Sequence, residues 1–452
     1  MPFSSLVLFL GISIVLIAVI RKDYVKGLCL ATCLLVSLPK ALRIPLPGAL
    51  PNLTIQRMVL IVVFLAWLGS GERKRSSRPL PFVKPLLLYL GVSLAALLCG
   101  IAFMQGLKDF LSFSVEVFLF YWIVACSIRS SEDVVRILKW MTIGLAAVAA
   151  IGVLQRYTGI NLTNRLVPLH ALTTARSAVL SSYPHRIHFG TAMSMAWPIA
   201  LAIRATLPKG TPAHRVLGYS VPVFFAACYF SQSRGPWLGS VAAAMVMLLV
   251  GTPRTRKPLW FIMALVGIVL LLRPGVWGTL SGMASATADT STMKGGSFQY
   301  RWELWKIAYA QVTRSPVRFL IGYGPAAATV MEINSVFDWK TAYQEYVVSS
   351  WDNHYAHELL STGFLGLGAF AWLYGSILKH MYVARLAAEE PNRTLLAGIL
   401  ASAVILLFMM SNVLIFAAQL NYIFWVLAAA ATALSSSPPA REEEPEHQPD
   451  PA

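Results

Sequence analysis

The chain has 452 residues, of which 57% are hydrophobic and 13% charged, and a mean hydropathy of +0.63. A soluble domain carries roughly a quarter charged residues, so a soluble globular fold is excluded and an all-α polytopic membrane protein is expected. The net charge of +17 lies largely in short connections between apolar runs, which argues against nucleic-acid binding.

Candidate spans in chain order are about 4–20, 27–43, 56–70, 84–104, 110–128, 136–155, 189–206, 215–231, 236–251, 259–272, 356–379, 394–412 and 415–434. About twelve or thirteen of them cross the bilayer, because Pro39, Lys40 and Arg43 interrupt the second. The first has no charged region before it and reads as a retained span, not a cleaved signal. The basic connections Glu72–Arg75, Arg129–Lys139, Arg204–Arg215, Arg254–Lys257 and Lys379–Arg393 fall on one side when the spans alternate, and that side is cytoplasmic by the positive-inside rule. Residues 1–155 are then N-terminal spans, 156–188 a basic outer loop, 189–272 spans with an outer Ser231–Gly235 turn, 273–353 a large outer loop, 354–434 C-terminal spans, and 435–452 a disordered cytoplasmic tail. Cys29, Cys33, Cys99, Cys126 and Cys228 all lie in apolar segments without metal-ligand or disulfide spacing and read as packing residues.

The outer loop 156–188 opposes the topology rule. It carries Arg156, Arg165, Arg176 and Arg186 with His170, His185 and His188 and no acid. Attraction to lipid headgroups is the plain reading; an anionic substrate is the functional one, since the guanidinium fork matches phosphate oxygens. Ser231-Gln232-Ser233-Arg234-Gly235-Pro236 holds Arg234 at the outer membrane surface, where a charge either snorkels or serves function, and Gly235 and Pro236 break the helix. In the large loop, Lys and Arg number seven against six Asp and Glu, which suits a folded cap. Tyr300–Thr313 reads as an amphipathic helix with Trp302, Trp305, Tyr309 and Val312 on one side and Arg301 at its start. Ser315-Pro316 and Gly322-Tyr323-Gly324 follow as turns.

The loop ends on Trp351-Asp352-Asn353-His354-Tyr355-Ala356-His357-Glu358. His354 and His357 share a face at helical spacing, and histidine moves protons near neutral pH. A polar helix cap at the membrane surface is the bland alternative.

The ordered set Ser231–Arg234–Gly235, Arg301 with Trp305, Ser315-Pro316, Gly322 and Gly324, Asn353-His354 with His357, and Thr362-Gly363 with Gly366 resembles the O-antigen ligase and polymerase superfamily over about residues 150–380. The sequence departs where Asp352-Asn353 stands in place of the His-Asn of many members, which leaves the catalytic histidine between His354 and His357, with His354 preferred. The resemblance implies a GT-C-like, metal-independent glycosyltransferase without cofactors, with about a dozen spans, in the bacterial inner membrane. Its active site would face the periplasm. The implied donor is an undecaprenyl-pyrophosphate-linked glycan and the implied acceptor lipid A–core. A polymerase or a protein glycosyl ligase of the same superfamily is the alternative; a transporter of an anionic substrate is the reading from another class. Arg234 and Arg301 with Arg176 or Arg186 are expected to hold the pyrophosphate in place of a metal. His354 is expected to act as general base, with His357 or Glu358 orienting it and with direct attack inverting the anomeric centre.

Overall fold

The computed structural model describes residues 3–44, 52–71, 80–163, 178–272, 275, 277–278, 281–282, 285–286, 289, 293–331, 351–415 and 419–435. It is a helical assembly: α1 (Phe3–Lys22), α2 (Tyr24–Ser37), α3 (Ile55–Gly69), α4 (Val83–Leu98), α5 (Phe103–Phe113), α6 (Phe120–Ser127), α7 (Ser131–Thr158), α8 (Arg186–Thr206), α9 (Pro212–Phe230), α10 (Arg234–Val250), α11 (Pro253–Leu272), α12 (Met293–Val312), α13 (Pro316–Ile321), α14 (Ala327–Val330), α15 (His354–Ala387), α16 (Asn392–Met410) and α17 (Gln419–Ser435). A single antiparallel pair, β1 (Arg43–Ile44) and β2 (Leu53–Thr54), joins α2 to α3, with Arg43 opposite Thr54. Phe103–Ser127, Ser131–Thr158, His354–Ala387 and Asn392–Met410 are long and apolar enough to cross a membrane; Tyr24–Ser37, Ile55–Gly69, Val83–Leu98, Arg234–Val250 and Gln419–Ser435 are shorter apolar helices. The chain is a polytopic helical membrane protein, in keeping with its composition: a helix satisfies its own backbone in lipid, where no water can.

Local chemistry starts several of these helices. Asp23 accepts from the Lys26 amide at the head of α2, and Thr54 does the same from Arg57 for α3. Ser130 and Asp133 form a reciprocal capping box on α7, which ends on Gly159 in the left-handed region. Thr211 and Pro212 open α9, and Asn353 caps α15 through the Ala356 amide. Ser114–Leu119 forms a π-helical turn between α5 and α6, and Glu116 within it pairs with Arg57 at 2.6 Å. The core runs through α8, α16 and α17, where Trp197, Phe189, Trp425 and Tyr422 are fully enclosed.

Several boundaries differ from the hydropathy reading. Helix α2 stops at Ser37, and residues 38–44 turn into β1. The stretch expected as 84–104 divides: α4 ends at Leu98 and α5 begins at Phe103. Gly235 and Pro236 do not break a helix but lie in the first turn of α10; the turn falls at Ser231–Ser233, with Gln232 at φ +50°. Pro236 is tolerated there because first-turn amides need no intrahelical partner. The amphipathic helix α12 divides the side expected from sequence: Val312 and Trp305 pack inward, whereas Trp302 and Tyr309 do not. Tyr300, Leu304, Ala308 and Val312 are buried against α15, while Trp302 and Tyr309 point outward. The 4-residue spacing of its aliphatic side chains, not its tryptophans, selects the packed face. The tail beyond Ser435 lies outside the described residues.

The helix ends gather into two polar zones. At one, Thr252 meets Thr394 at 2.7 Å, Arg254 approaches Glu390 at 4.0 Å and Ser435 meets His380 at 3.1 Å. At the other, the Val179 amide donates to Phe230, Arg301 to Asn412, and Tyr323 to Leu360.

Candidate active site

The site is built on a break in α15. Gly363 sits at φ +66°, ψ −168°, a conformation open only to glycine, and divides the helix into a short segment 354–362 and a long one beyond it. An unbroken helix would use the Leu360 and Ser361 carbonyls within itself. Here the Tyr323 and Gly324 amides donate to them, each at 2.9 Å. Two glycines make that approach possible. A Cβ on Gly322 would lie 2.5 Å from the Ser361 backbone, and one on Gly363 would lie 2.5 Å from that of Leu320. The Ile101 amide then donates to Tyr323 O, and the Arg318 guanidinium donates to the carbonyls of Cys99 and Gly322. Three irregular stretches, at residues 99–101, 322–324 and 361–363, thus lock together and fix the short segment that carries His354, His357 and Glu358.

Beside that segment lies a cavity of about 380 Å³. His357, Glu358, Tyr89, Asp109, Lys40 and Trp351 are among its walls. Glu358 is almost wholly buried, and Tyr89 Oη donates to its Oε1 at 3.1 Å. Thr362 Oγ1 stands 2.8 Å from the Glu358 carbonyl and 3.3 Å from Oε2. His357 Nδ1 lies 3.4 Å from Ser361 Oγ. When the ring donates through that nitrogen, Nε2 holds the basic lone pair. Trp351 Nε1 is buried in this wall and has no hydrogen-bond partner among the described residues, so a polar guest would satisfy it.

His354 is placed differently. It does not line the cavity. Its Nδ1 accepts from the Ile415 amide at 3.3 Å, and its ring packs on Phe370 with centroids 5.4 Å apart. With Nδ1 as acceptor, the neutral ring carries its proton on Nε2, and neither nitrogen is then poised to take another. The two histidine rings lie 6.4 Å apart and nearly parallel, as positions three apart on a helix require.

Arg301 anchors the arginine group on the chain segment 412–415. Arg301 Nε donates to Asn412 O at 2.9 Å, its Nη2 lies 3.7 Å from Asp352 Oδ2, and its carbonyl receives Asn353 Nδ2. Arg234 is within electrostatic reach of both Arg301 and Arg186. The last two residues of that segment meet the histidines: Leu414 O lies 3.2 Å from His188 Nε2, and the Ile415 amide donates to His354. Trp351 and Asp352 therefore bridge the two halves, one walling the cavity and the other pairing with Arg301. Burial pushes the His185 imidazole below its ordinary value; Asp352 opposes this, while Arg186 and Arg301 reinforce it.

Of the residues singled out from sequence, Arg186, Arg234 and Arg301 come together, and His357 and Glu358 share a cavity. His354 stands behind that wall, and Arg176 lies outside the described residues. Tyr89, Asp109 and Lys40 were not singled out as site residues. Lys40 had a signal, a lysine beside Pro39 at the end of an apolar run; Tyr89 had none, since its partner lies 269 residues away.

No curated protein matches the chain. Residues 219–371 match a family model described as O-antigen ligase, a stretch that holds Arg234, Arg301, His354, His357, Glu358 and the Gly322–Gly363 joint, so over this third of its length the chain is similar to that family.

Proposed function

We propose that the protein is an O-antigen ligase, which moves a polysaccharide from undecaprenyl pyrophosphate to a sugar of lipid A–core. It does so at the periplasmic face of the bacterial inner membrane, as a GT-C-like enzyme with about a dozen spans. The superfamily supports a ligase- or polymerase-type glycosyl transfer on lipid-linked glycans. The observation that carries the reading is a polar cavity holding His357 and Glu358, set one residue from the Asp352–Arg301 pair in a three-arginine group.

In this reading the acceptor hydroxyl oxygen attacks the anomeric carbon of the glycan, and the bond from that carbon to the pyrophosphate oxygen breaks. The hydroxyl proton passes to His357 Nε2. The departing pyrophosphate takes the bonding pair, and the guanidinium groups of Arg186, Arg234 and Arg301 stabilise its added charge. Attack opposite the leaving group inverts the anomeric centre. His357 replaces His354 as the proposed base because it faces the cavity, whereas His354 Nδ1 is committed to Ile415. His354 becomes a positioning residue that ties the short helix to segment 412–415.

The test is deletion of the gene in its host with analysis of lipopolysaccharide. Loss of all long chains with accumulation of lipid-linked glycan is expected. A residual band bearing a single repeat would instead identify a polymerase, and an unchanged lipopolysaccharide profile would overturn both.

A further inference from the structure

A second cavity, of about 350 Å³, lies on the far side of Lys40 from the first. Its walls include Lys40, Arg43, Arg57, Asn52, Thr163 and Ser182. Lys40 lines both cavities, so they adjoin. No carboxylate lines this one among the described residues. The acids within reach stand behind the wall: Glu116 is bonded to Arg57 Nε, and Asp109 lies within electrostatic reach of Lys40 from the first cavity.

The wall is built, not merely basic. Arg57 is fixed by Glu116, by the Asn52 carbonyl and by Ser112 Oγ, and these use three of its five donors. Ser182 Oγ is more than nine-tenths buried and has no hydrogen-bond partner among the described residues. A hydroxyl left so in a cation-lined pocket matches an oxygen-rich anion. Arg43, exposed on β1, stands at the wall where an anion would enter from solvent.

This pocket is separate from the Arg186–Arg234–Arg301 group. Ser182, Tyr183 and Pro184 face it, whereas His185 is within electrostatic reach of Arg186, Arg301 and Asp352 on the other side. Two cationic sites therefore flank one reaction cavity, which matches two anionic lipid substrates better than one.

We propose that the Lys40–Arg43–Arg57 cavity binds a phosphate group carried by the acceptor glycolipid, while the three-arginine group takes the donor's pyrophosphate. The proposal rests on the glycan-transfer reading above. It makes the enzyme selective for phosphorylated acceptors, holding the acceptor's sugar toward His357 by a charge on its own body.

The experiment uses the full chain in nanodiscs of phosphatidylcholine, as wild type and Arg43→Gln. The acceptor is lipooligosaccharide, either intact or stripped of phosphate by a phosphatase. Arg43 is exposed, so its replacement should fold; Ser182→Val, which fills the pocket without touching charge, is the second variant. In wild type, KM for the intact acceptor should be lower than for the stripped one. Arg43→Gln should raise KM for the intact acceptor by about tenfold, the scale of one charge-assisted hydrogen bond, with kcat, the donor KM and the stripped-acceptor KM unchanged. An equal rise for both acceptors, a rise in the donor KM, or no change would overturn the assignment. Retention of each glycolipid by native mass spectrometry decides the case in which wild type transfers nothing. Loss of only the phosphorylated form in Arg43→Gln then upholds the pocket although the ligase reading has failed; equal retention overturns it. Phosphatidylglycerol and inorganic phosphate are run as competing probes. Binding of either that depends on Arg43, without discrimination between the two acceptors, would make this a headgroup or free-phosphate site and refute the acceptor role.

Discussion

The joint at Gly363 can be tested by adding one methyl group. In Gly363→Ala the new Cβ meets the Leu320 carbonyl carbon and oxygen at 2.5 Å and the Gly322 nitrogen at 2.7 Å, all backbone atoms that cannot swing aside. The conformation at φ +66°, ψ −168° costs an L-residue about 1–3 kcal/mol by itself. The bonds from Tyr323 to Leu360 O and Gly324 to Ser361 O are lost if the helix straightens, at about 0.5–1.5 kcal/mol each. The combined cost is about 2–6 kcal/mol, a large share of a typical folding free energy. Because His357 and Glu358 sit on the short side of the break, transfer should fall at least as steeply as stability. Gly368 supplies the control on the same helix. It is exposed, its φ is not positive and nothing lies within 4 Å of a Cβ built there, so Gly368→Ala should be neutral or stabilising by about 0.5–1 kcal/mol. The thermal midpoint of each purified variant and its rate on a lipid-linked donor are the readouts. A Gly363→Ala protein with wild-type midpoint and rate would refute the claim that the interlocked break positions the site.

Three further outcomes follow from the proposed chemistry. His357→Ala should lose transfer by about 10²–10⁴-fold with donor binding intact, while His354→Ala should lower the thermal midpoint and reduce transfer less; the reverse order in a purified assay would return the base to His354. Arg234→Ala should abolish transfer with expression retained, and Arg234→Lys should rescue poorly because lysine keeps the charge but not the fork; full activity of the lysine variant would leave only unspecific charge attraction. Since guanidinium groups supply the positive charge for the leaving pyrophosphate, transfer should persist in excess EDTA; a loss that magnesium or manganese restores would count against the arginine assignment.

The helices were legible because a helix satisfies its own backbone in lipid, and every apolar stretch read from the sequence contains a helix. Hydropathy is blind, however, to a turn made of apolar residues. Cys99–Ala102 interrupts what reads as one run, and it can do so because Tyr323 O and the Arg318 guanidinium, more than two hundred residues on, satisfy its backbone. The same blindness hid the face of α12: tryptophans are the most apolar-looking side chains there, yet Tyr300, Leu304 and Ala308 meet α15 while Trp302 stays outside.

Motif order announced the glycines and the histidines but not what each was for. Gly322 read as a turn signal and Gly363 as one member of the motif series inside a span, and only their contact shows that each admits the other's backbone. Asn353 and His354 read as the start of chemistry; Asn353 is a cap that also holds the Arg301 carbonyl, and His354 is a strut to Ile415. The residue three positions on inherits the cavity because one helical turn carries it along the same face to the level where Tyr89, Asp109 and Lys40 converge. Those three come from elements whose polar members looked like blemishes in apolar runs. A lysine, a tyrosine and an aspartate buried among apolar helices are costly unless they meet, and where they meet is fixed by helix packing, which no local stretch of sequence encodes.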